Sequence, residues 1–439
     1  MNQTITEKVI ALTKRRGYVY PSSEIYGGVG GFWDYGPLGV EFANNIKSAW
    51  WKSMVHDRDD IVGLDSSIIM NPRVWEASGH VASFTDPLIE CKVCHARFRA
   101  DQPDEIDAHV KFHRGRGVKD VAWTDPKQFN LLFRTFIGPV EDAAALAYLR
   151  GETCQGIFVN FPNVVSSTRV RIPFGIAQIG KAFRNEVTPG KFLFRLREFE
   201  QMELEFFTHP SESERWFSLW KEARMNWHYS LGLKSDNLRF RQHEQNERAH
   251  YALDSWDIEY NFPEWGFKEL EGIANRTDYD LKTHAKWSGR DMSYLDPVTN
   301  ESYIPHVIEP SVGVSRLFLA LLIDAYVEEE KRVVLKLAPK LAPYKMAVFP
   351  LVANKPELVE KARGIYTTLK KSFVVAWDDR GNIGKRYLSQ DEAGTPWCVT
   401  VDYATLEDNS VTVRDRDTTK QDRVPVEKLT AYFQEKLTE

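Results

Sequence analysis

Apolar and polar residues alternate most clearly between Phe183 and Phe207. On the second half of this stretch a period of two puts Arg195, Arg197, Phe199, Gln201, Glu203 and Glu205 on one face. Phe194, Leu196, Met202, Leu204 and Phe206 take the other, interrupted by Glu198 and Glu200. The pattern predicts a strand with one core face and one face on which cations give way to carboxylates. Ahead of it Arg184 and Glu186 share a face, and Thr188-Pro-Gly-Lys191 predicts a turn, since proline fixes φ and glycine permits the reversal. The two runs should therefore pair antiparallel.

Elsewhere the spacing is helical. Thr4 with Glu7 reads as a capping box for a helix over 7–16 that stops at Gly17. Phe42, Ile46, Ala49 and Trp50 predict a helix over 40–54, and 212–231 reads as another, rich in tryptophan. Strands are expected at 61–64, 67–70, 254–262 and 303–309, the last running into a helix that buries Phe318, Leu321, Leu322 and Ala325. Leu-Ala-Pro occurs twice in 335–344, a linker signal. Beyond it, strands at 346–351, 373–377, 397–401 and 410–414 alternate with helices at 355–371, near 383 and from 426, which predicts an α/β unit with a mixed sheet.

At 439 residues the chain is long enough for two or three domains with a sizeable core. A net charge of -5 excludes a globally basic nucleic-acid binder, so any RNA must meet a local patch. Four cysteines make no disulfide framework for this length and read as reduced thiols, no apolar run approaches the roughly 20 residues of a membrane span, and residues 1–16 read as neither a signal nor a transit peptide. A cytoplasmic protein is expected. The glycine-rich run 25–39 lacks the Gly-Lys-Ser/Thr ending of a P-loop, which rejects a Walker cradle.

The charged face is bracketed by Phe183, Phe192, Phe194, Phe206 and Phe207. An ordinary sheet face would be solvated and laced with weak ion pairs; aromatic brackets suggest instead a concave, partly dry floor. There guanidinium forks hold phosphates and carboxylates hold an ammonium. Cys91-x2-Cys94, fourteen residues, then His109-x3-His113 places two thiolates and two imidazoles where a tetrahedral zinc could bind. Four protein ligands leave no open position, so such a zinc would be structural and remote from the chemistry. Cys154 has no nearby histidine to activate it and reads as a small buried hydrophobe.

Phe183-Arg-Asn-Glu186, a short loop, then Arg195-x-Arg-Glu-Phe-x-Gln-Met-Glu203 resembles the second signature motif of class II aminoacyl-tRNA synthetases, in the form typical of the glycyl-tRNA synthetase family. Glu309-Pro-Ser-Val-Gly-Val-Ser-Arg316 resembles the third motif, with Ser315 where many members carry glycine or aspartate. The helix, strand and Pro72 of 40–72 resemble the first, dimer-forming motif, although an ordinary core helix and strand would read the same. Arg97-Phe-Arg-Ala-Asp101, 149–158 (with Gly151 for proline and Cys154 for alanine), 266–280 and 378–387 resemble further stretches, the last that of an anticodon-binding domain.

The resemblance implies an α/β protein: an α+β catalytic domain over 1–335, built on an antiparallel sheet flanked by helices, within which the Cys91-to-His113 spacing marks a candidate zinc-binding insertion at about 85–125. A linker at 336–344 and an α/β anticodon-binding domain over 345–439 complete it. It implies activation of glycine by ATP, transfer to tRNA(Gly), and a homodimer. Arg184, Glu186 and Arg316 become the catalytic set, with Arg184 on the α-phosphate and Arg316 at the γ-phosphate end. Asn185, Phe194, Arg195, Leu196, Arg197, Glu198, Phe199, Glu269, Leu270, Arg276, Gly313, Val314 and Ser315 complete the expected nucleotide site. Glu269 and Glu271 would hold magnesium against the triphosphate, and Arg276 would meet the terminal phosphates. For glycine the expected contacts are Arg99, Glu152, Phe199, Glu200, Gln201, Met202, Glu203, Glu309, Pro310, Ser311, Val312 and Gly313, with Glu152, Glu203 and Glu309 on the ammonium. An inactive paralogue would be expected to lose Arg184, Glu186 or Arg316, and an enzyme for serine or proline to rearrange Glu203 and Glu205.

Overall fold

The computed structural model describes residues 3–248 and 252–438. The alternating stretch becomes the middle of a seven-stranded sheet. Its strands are β1 (Ile61–Gly63), β2 (Phe174–Phe183), β3 (Glu198–Thr208), β4 (Leu238–Gln242), β5 (Asp254–Phe262), β6 (Gly266–Thr277) and β7 (His306–Gly313). They lie in the order β4-β5-β6-β7-β3-β2-β1, antiparallel throughout except for β1 beside β2.

Period two decides the two faces. Met202, Leu204, Phe206, Ile308 and Val312 are at most 1% exposed and pack under helices Pro37–Trp51, Ser213–Ser230 and Val314–Ala325. On the other face Glu203 pairs with Gln178 on one side and Ser311 on the other, and Ser311 with Gly272. Helix Cys154–Ser167 covers part of this second face, where Phe158 and Phe161 join Phe174, Ile176 and Phe207. The remainder is an open groove.

The first helix, Ile5–Arg16, begins with the expected capping box and ends on Gly17 at φ 74°. Three expectations change. Residues 67–70 form no strand, only a bridge from Ile69 to Leu149. The return strand starts at Glu198 rather than near Arg195, because Phe192, Leu193 and Phe194 are consecutive and all buried. A strand would send alternate members to opposite faces; a short 3-10 turn, entered through Lys191 and Phe192 at positive φ, buries all three. The strand expected at 303–309 runs on through Pro310 to Gly313.

The second unit is a sheet of β8 (Met346–Pro350), β9 (Val375–Trp377), β10 (Trp397–Val401), β11 (Ser410–Asp415) and β12 (Gln421–Pro425), ordered β9-β8-β10-β11-β12. The first three strands are parallel and the rest antiparallel, the mixed sheet that was expected. β12 escaped the sequence pattern because Gln421, Asp422 and Arg423 are all exposed. Residues 336–344 are no free tether. Leu337, Leu341 and Ala342 are at most 2% exposed, and the Asn45 amide donates to the carbonyls of Leu341 and Ala342.

Candidate active site

The groove has two chemically opposite ends, joined by a cavity of about 230 Å³. At one end carboxylates converge. Glu203, 1% exposed, accepts from the Thr153 amide at 3.1 Å and from the Thr153 hydroxyl, just before helix Cys154–Ser167 begins. Burial and the neighbouring Glu152 push its pKa up. Glu152 accepts from the Gln155 amide at 3.0 Å and the Cys154 thiol at 2.9 Å and lies 3.3 Å from His80 Nε2. Burial raises it, but His80 and Arg276 outweigh that and hold its carboxyl well below the usual range. Glu309 shares Arg276 with Asp280, and burial pushes it up to about 8 against the pull of that guanidinium. Ser311 lies between, 3.4 Å from the Gln201 amide.

At the other end stand two guanidinium groups, Arg184 and Arg316. Arg184, on the loop leaving β2, donates to the Gly151 carbonyl at 3.0 Å and lies between the rings of Phe84 and Phe199, at 5.3 and 5.5 Å. Among the described residues it has no ion pair. Arg316 opens helix Val314–Ala325, rests 4.7 Å over the Phe194 ring and donates to the Phe194 carbonyl at 3.1 Å. It also pairs with Glu269 at 3.0 Å, and this ion pair keeps the Glu269 carboxyl low. Glu186, Arg195, Leu196, Leu270, Gly313 and Ser315 line the space between. Such an arrangement can grip an ammonium at one end and phosphates at the other.

Several expected residues lie elsewhere. Arg197 turns from the groove to donate to the Glu186 and Gly30 carbonyls, and the Asn185 backbone N–H donates to the Leu131 carbonyl, with Asn185 outside the cavity lining. Glu198 and Glu200 fall on the opposite face, paired with Lys181 and Lys47. Met202, Pro310, Val312 and Val314 are core, so only their backbone can approach a ligand. Arg99 is held by Asp86 at 3.0 Å and Asp101 at 2.7 Å and does not line the cavity. Arg276, 2% exposed, is consumed by Asp280 and Glu309 and so organises carboxylates rather than facing the groove.

The pairing of Glu269 with Glu271 also fails, for a reason of register. Across β5, Glu271 stands opposite Ile258 and Glu269 opposite Glu259, so Leu270 is a bulge and the two glutamates face opposite ways. Glu271 is fully buried under helix Ser213–Ser230, 2.5 Å from Arg224 and 2.6 Å from His228. Sequence reasoning missed Thr153 as the donor to Glu203 and His80 as the neighbour of Glu152. Thr153 could have been found as a polar residue directly ahead of a helix, whereas nothing in the sequence marks His80.

Beside the groove stands a four-residue cluster on the insertion. Cys91, Cys94, His109 and His113 bring their ligand atoms within 4.8 Å of one another, at separations such as 3.8 Å (Cys91 Sγ to His113 Nε2), 3.4 Å (Cys94 Sγ to His109 Nε2) and 3.1 Å (His109 to His113 Nε2). A tetrahedral zinc separates such ligands by about 3.3–3.8 Å, so the donor set fits. The cluster is not remote from the groove, as the sequence suggested. His109 and Arg97 line a second cavity, of about 810 Å³, that also touches Arg195, Glu269 and Arg316.

Residues 140–326 match the tRNA synthetase class II core domain (G, H, P, S and T), and residues 345–436 match the anticodon binding domain. Fold, groove and matches together define a class II aminoacyl-tRNA synthetase. The chain is 53% identical to the glycine--tRNA ligase of Thermobifida fusca (strain YX) and 52% to that of Streptomyces coelicolor, with 98% of each chain covered. The same identity, 53%, and coverage hold for the glycine--tRNA ligase of Caldanaerobacter subterraneus subsp. tengcongensis. The chain belongs to the glycine--tRNA ligase family.

The buried Glu271 makes a stability prediction. Arg224 and His228 hold its pKa near 2 against the cost of burial. A carboxyl lowered in the folded state stabilises above its unfolded pKa, and that contribution is lost as pH falls from about 4.5 towards 2. Glu271→Gln should cost about 3–5 kcal/mol at neutral pH, since it leaves a buried arginine unmatched. In denaturant melts the gap between variant and wild type should close under acid; a constant gap would remove the charge from the explanation.

Proposed function

We propose that the enzyme activates glycine with ATP to glycyl-adenylate and pyrophosphate, then passes glycine to the 3′ end of tRNA(Gly). The observation that carries this reading is the two-ended groove, with surplus carboxylates at one end and unmatched guanidinium at the other. A glycine carboxylate oxygen attacks the α-phosphorus, the bond to the bridging oxygen breaks, and pyrophosphate leaves in line. The 3′-terminal ribose hydroxyl then attacks the glycyl carbonyl and AMP departs. No protein nucleophile is needed, in keeping with Cys154, whose thiol burial raises well above its usual pKa. Catalysis is positioning and charge neutralisation.

In this reading Arg184 takes the α-phosphate, Arg316 the γ-phosphate end, and Glu186 with the backbone of Phe194 to Phe199 the adenine. Glu269, kept ionised by Arg316, is the carboxylate that would hold magnesium. The ion, when bound, adds charge neutralisation along the triphosphate. Glu152, Glu203 and Glu309 receive the ammonium with Ser311 beside them. Glycine offers no side chain to grip, so selection rests on leaving no room beyond Cα, and crowding can exclude every larger amino acid.

Cys91, Cys94, His109 and His113 would hold a structural zinc that closes the insertion into one wall of the groove mouth. The second unit reads the anticodon. Its β8 and β9 end side by side, and there Arg363 lies 3.6 Å over the Trp377 ring beside an exposed Arg380, groups suited to stacking on bases and meeting phosphates. Ile25, Tyr26 and Val29, 56–88% exposed on the glycine-rich loop, support a homodimer. Four free cysteines accord with the cytoplasm, and no helix among the described residues is long and apolar enough to cross a membrane.

Arg184→Ala should lower ATP–pyrophosphate exchange at least about a hundredfold, the scale for one preorganised donor, while glycine affinity changes little. Exchange near the wild-type rate would remove Arg184 from the phosphate. Glu203→Gln keeps volume but loses one charge, so the glycine KM should rise about ten- to a hundredfold while alanine stays excluded. If Glu203 served the fold alone, only the melting temperature would move. Protein purified without chelator should carry about one zinc per chain, and Cys91→Ser should release it; metal-free protein of equal stability would refute the assignment.

A further inference from the structure

Beneath the ammonium cradle lies a carboxyl that this chemistry does not use. Glu205, two residues along β3 from Glu203 and on the same face, is fully buried, and among the described residues neither of its oxygens has a hydrogen-bond partner. The β3–β7 pairing is interrupted beside it: no pair joins Leu204 and Glu205 to the opposite Pro310 and Glu309, where proline has no N–H to give. Helix Cys154–Ser167 closes the space above, with the Cys154 thiol within 4.8 Å of a carboxylate oxygen of both Glu203 and Glu205.

Among the described residues around Glu205, acid is in excess. Glu203 lies on its own strand, Glu309 on β7, Arg276 at the end of β6, Asp280 in the first turn of helix Tyr279–Ser288, and Glu152 and Cys154 at the start of helix Cys154–Ser167. Further out, His80 faces Glu152, His284 Nε2 donates to the Gln155 side-chain oxygen, and Arg150 spends its guanidinium on the carbonyls of Lys181 and Ser66. Arg276 makes two contacts with Asp280, at 2.8 and 2.9 Å, and gives Glu309 only its remaining nitrogen. Among the described residues Glu203, Glu205 and Glu309 therefore share less than one cation, and buried carboxylates so placed cannot all ionise.

Resting on the glycine reading, we propose that glycine binding expels a proton from this cluster: the arriving ammonium takes the place of the proton on Glu309, which leaves to solvent, while Glu205 stays a neutral carboxylic acid throughout. The balance is one proton out for one ammonium in, with no bond to the substrate made or broken. Burial acts in the same direction on both residues, raising Glu205 well above the carboxylate range and Glu309 to about 8. An ionised Glu205 would accept no hydrogen bond among the described residues, and the one guanidinium that acts on it, Arg276, is already paired with Asp280 and Glu309.

The test is calorimetric titration of the full-length enzyme with glycine at pH 7, in phosphate and in Tris, whose heats of ionisation differ. The difference in binding heat should correspond to roughly one proton released per site. Glu309→Gln should bind more weakly and release none. Glu205→Gln, an isostere of the neutral acid, should release the same proton and keep its glycine KM within about twofold. Equal heats in both buffers would overturn the proposal and leave the glycine reading intact, as would a tenfold rise in KM for Glu205→Gln. Absence of glycine binding in either buffer would overturn both. The wild-type comparison decides the matter even if a variant fails to fold.

Discussion

The register of β3 between β2 and β7 is the constraint on which the rest depends. Slipping β3 by one residue would put Met202 and Leu204 into the groove and drive Glu203 and Glu205 into the core. The core face resists the slip, because Met202, Leu204 and Phe206 are packed under three helices. The neighbouring strand resists it too. Opposite Gln201 on β2 stands Gly180, where a Cβ would come within 2.1 Å of the Arg150 guanidinium. Arg150 in turn ties Lys181 to Ser66, so the segment before helix Cys154–Ser167 and the strand under it are set against each other.

Once the register is set, the problem becomes electrostatic. Taking carboxylates out of water costs several kcal/mol each unless something answers them. The molecule answers in three ways. Glu271 receives Arg224 and His228 and becomes part of the core; Glu203 receives an amide and a hydroxyl from Thr153; Glu309 receives a share of Arg276. The first is fully compensated, whereas the last two are not, and that shortfall is what leaves room for an incoming ammonium. At the far end the shortfall is reversed. Arg184 and Arg316 rest on aromatic rings, which hold a guanidinium in place while leaving most of its N–H groups for a phosphate. Among the described residues Glu269 is the carboxylate that pairs with Arg316.

The alternation through Phe199 to Phe206 was enough to assign the groove and core faces, because burial on one side of a sheet imposes period two on any sequence that folds there. The capping box at Thr4 and Glu7 and the ligand spacing from Cys91 to His113 were legible for the same reason: each is a local geometry written in neighbouring residues. The resemblance carried the roles of Arg184, Glu203, Glu309 and Arg316, and the structure brings these to one cavity. Arg99, Arg197 and Arg276 carry the same charge, yet local carboxylates and carbonyls hold them away from it.

By itself, then, the sequence determined which residues face inward, where the two chemistries of the central strand meet, and which four side chains could share a metal ion. Those properties depend on spacing along the chain. Tertiary structure decided the rest. A single bulge at Leu270 parts Glu269 from Glu271, three adjacent apolar residues turn a predicted strand into a 3-10 turn, and His80 and Thr153 reach the carboxylates from segments distant in sequence. Each depends on which elements lie against each other, and no local pattern records that. The same packing places a fourth glutamate under the cradle with no hydrogen-bond partner among the described residues, where its charge is governed by the neighbours that folding supplies.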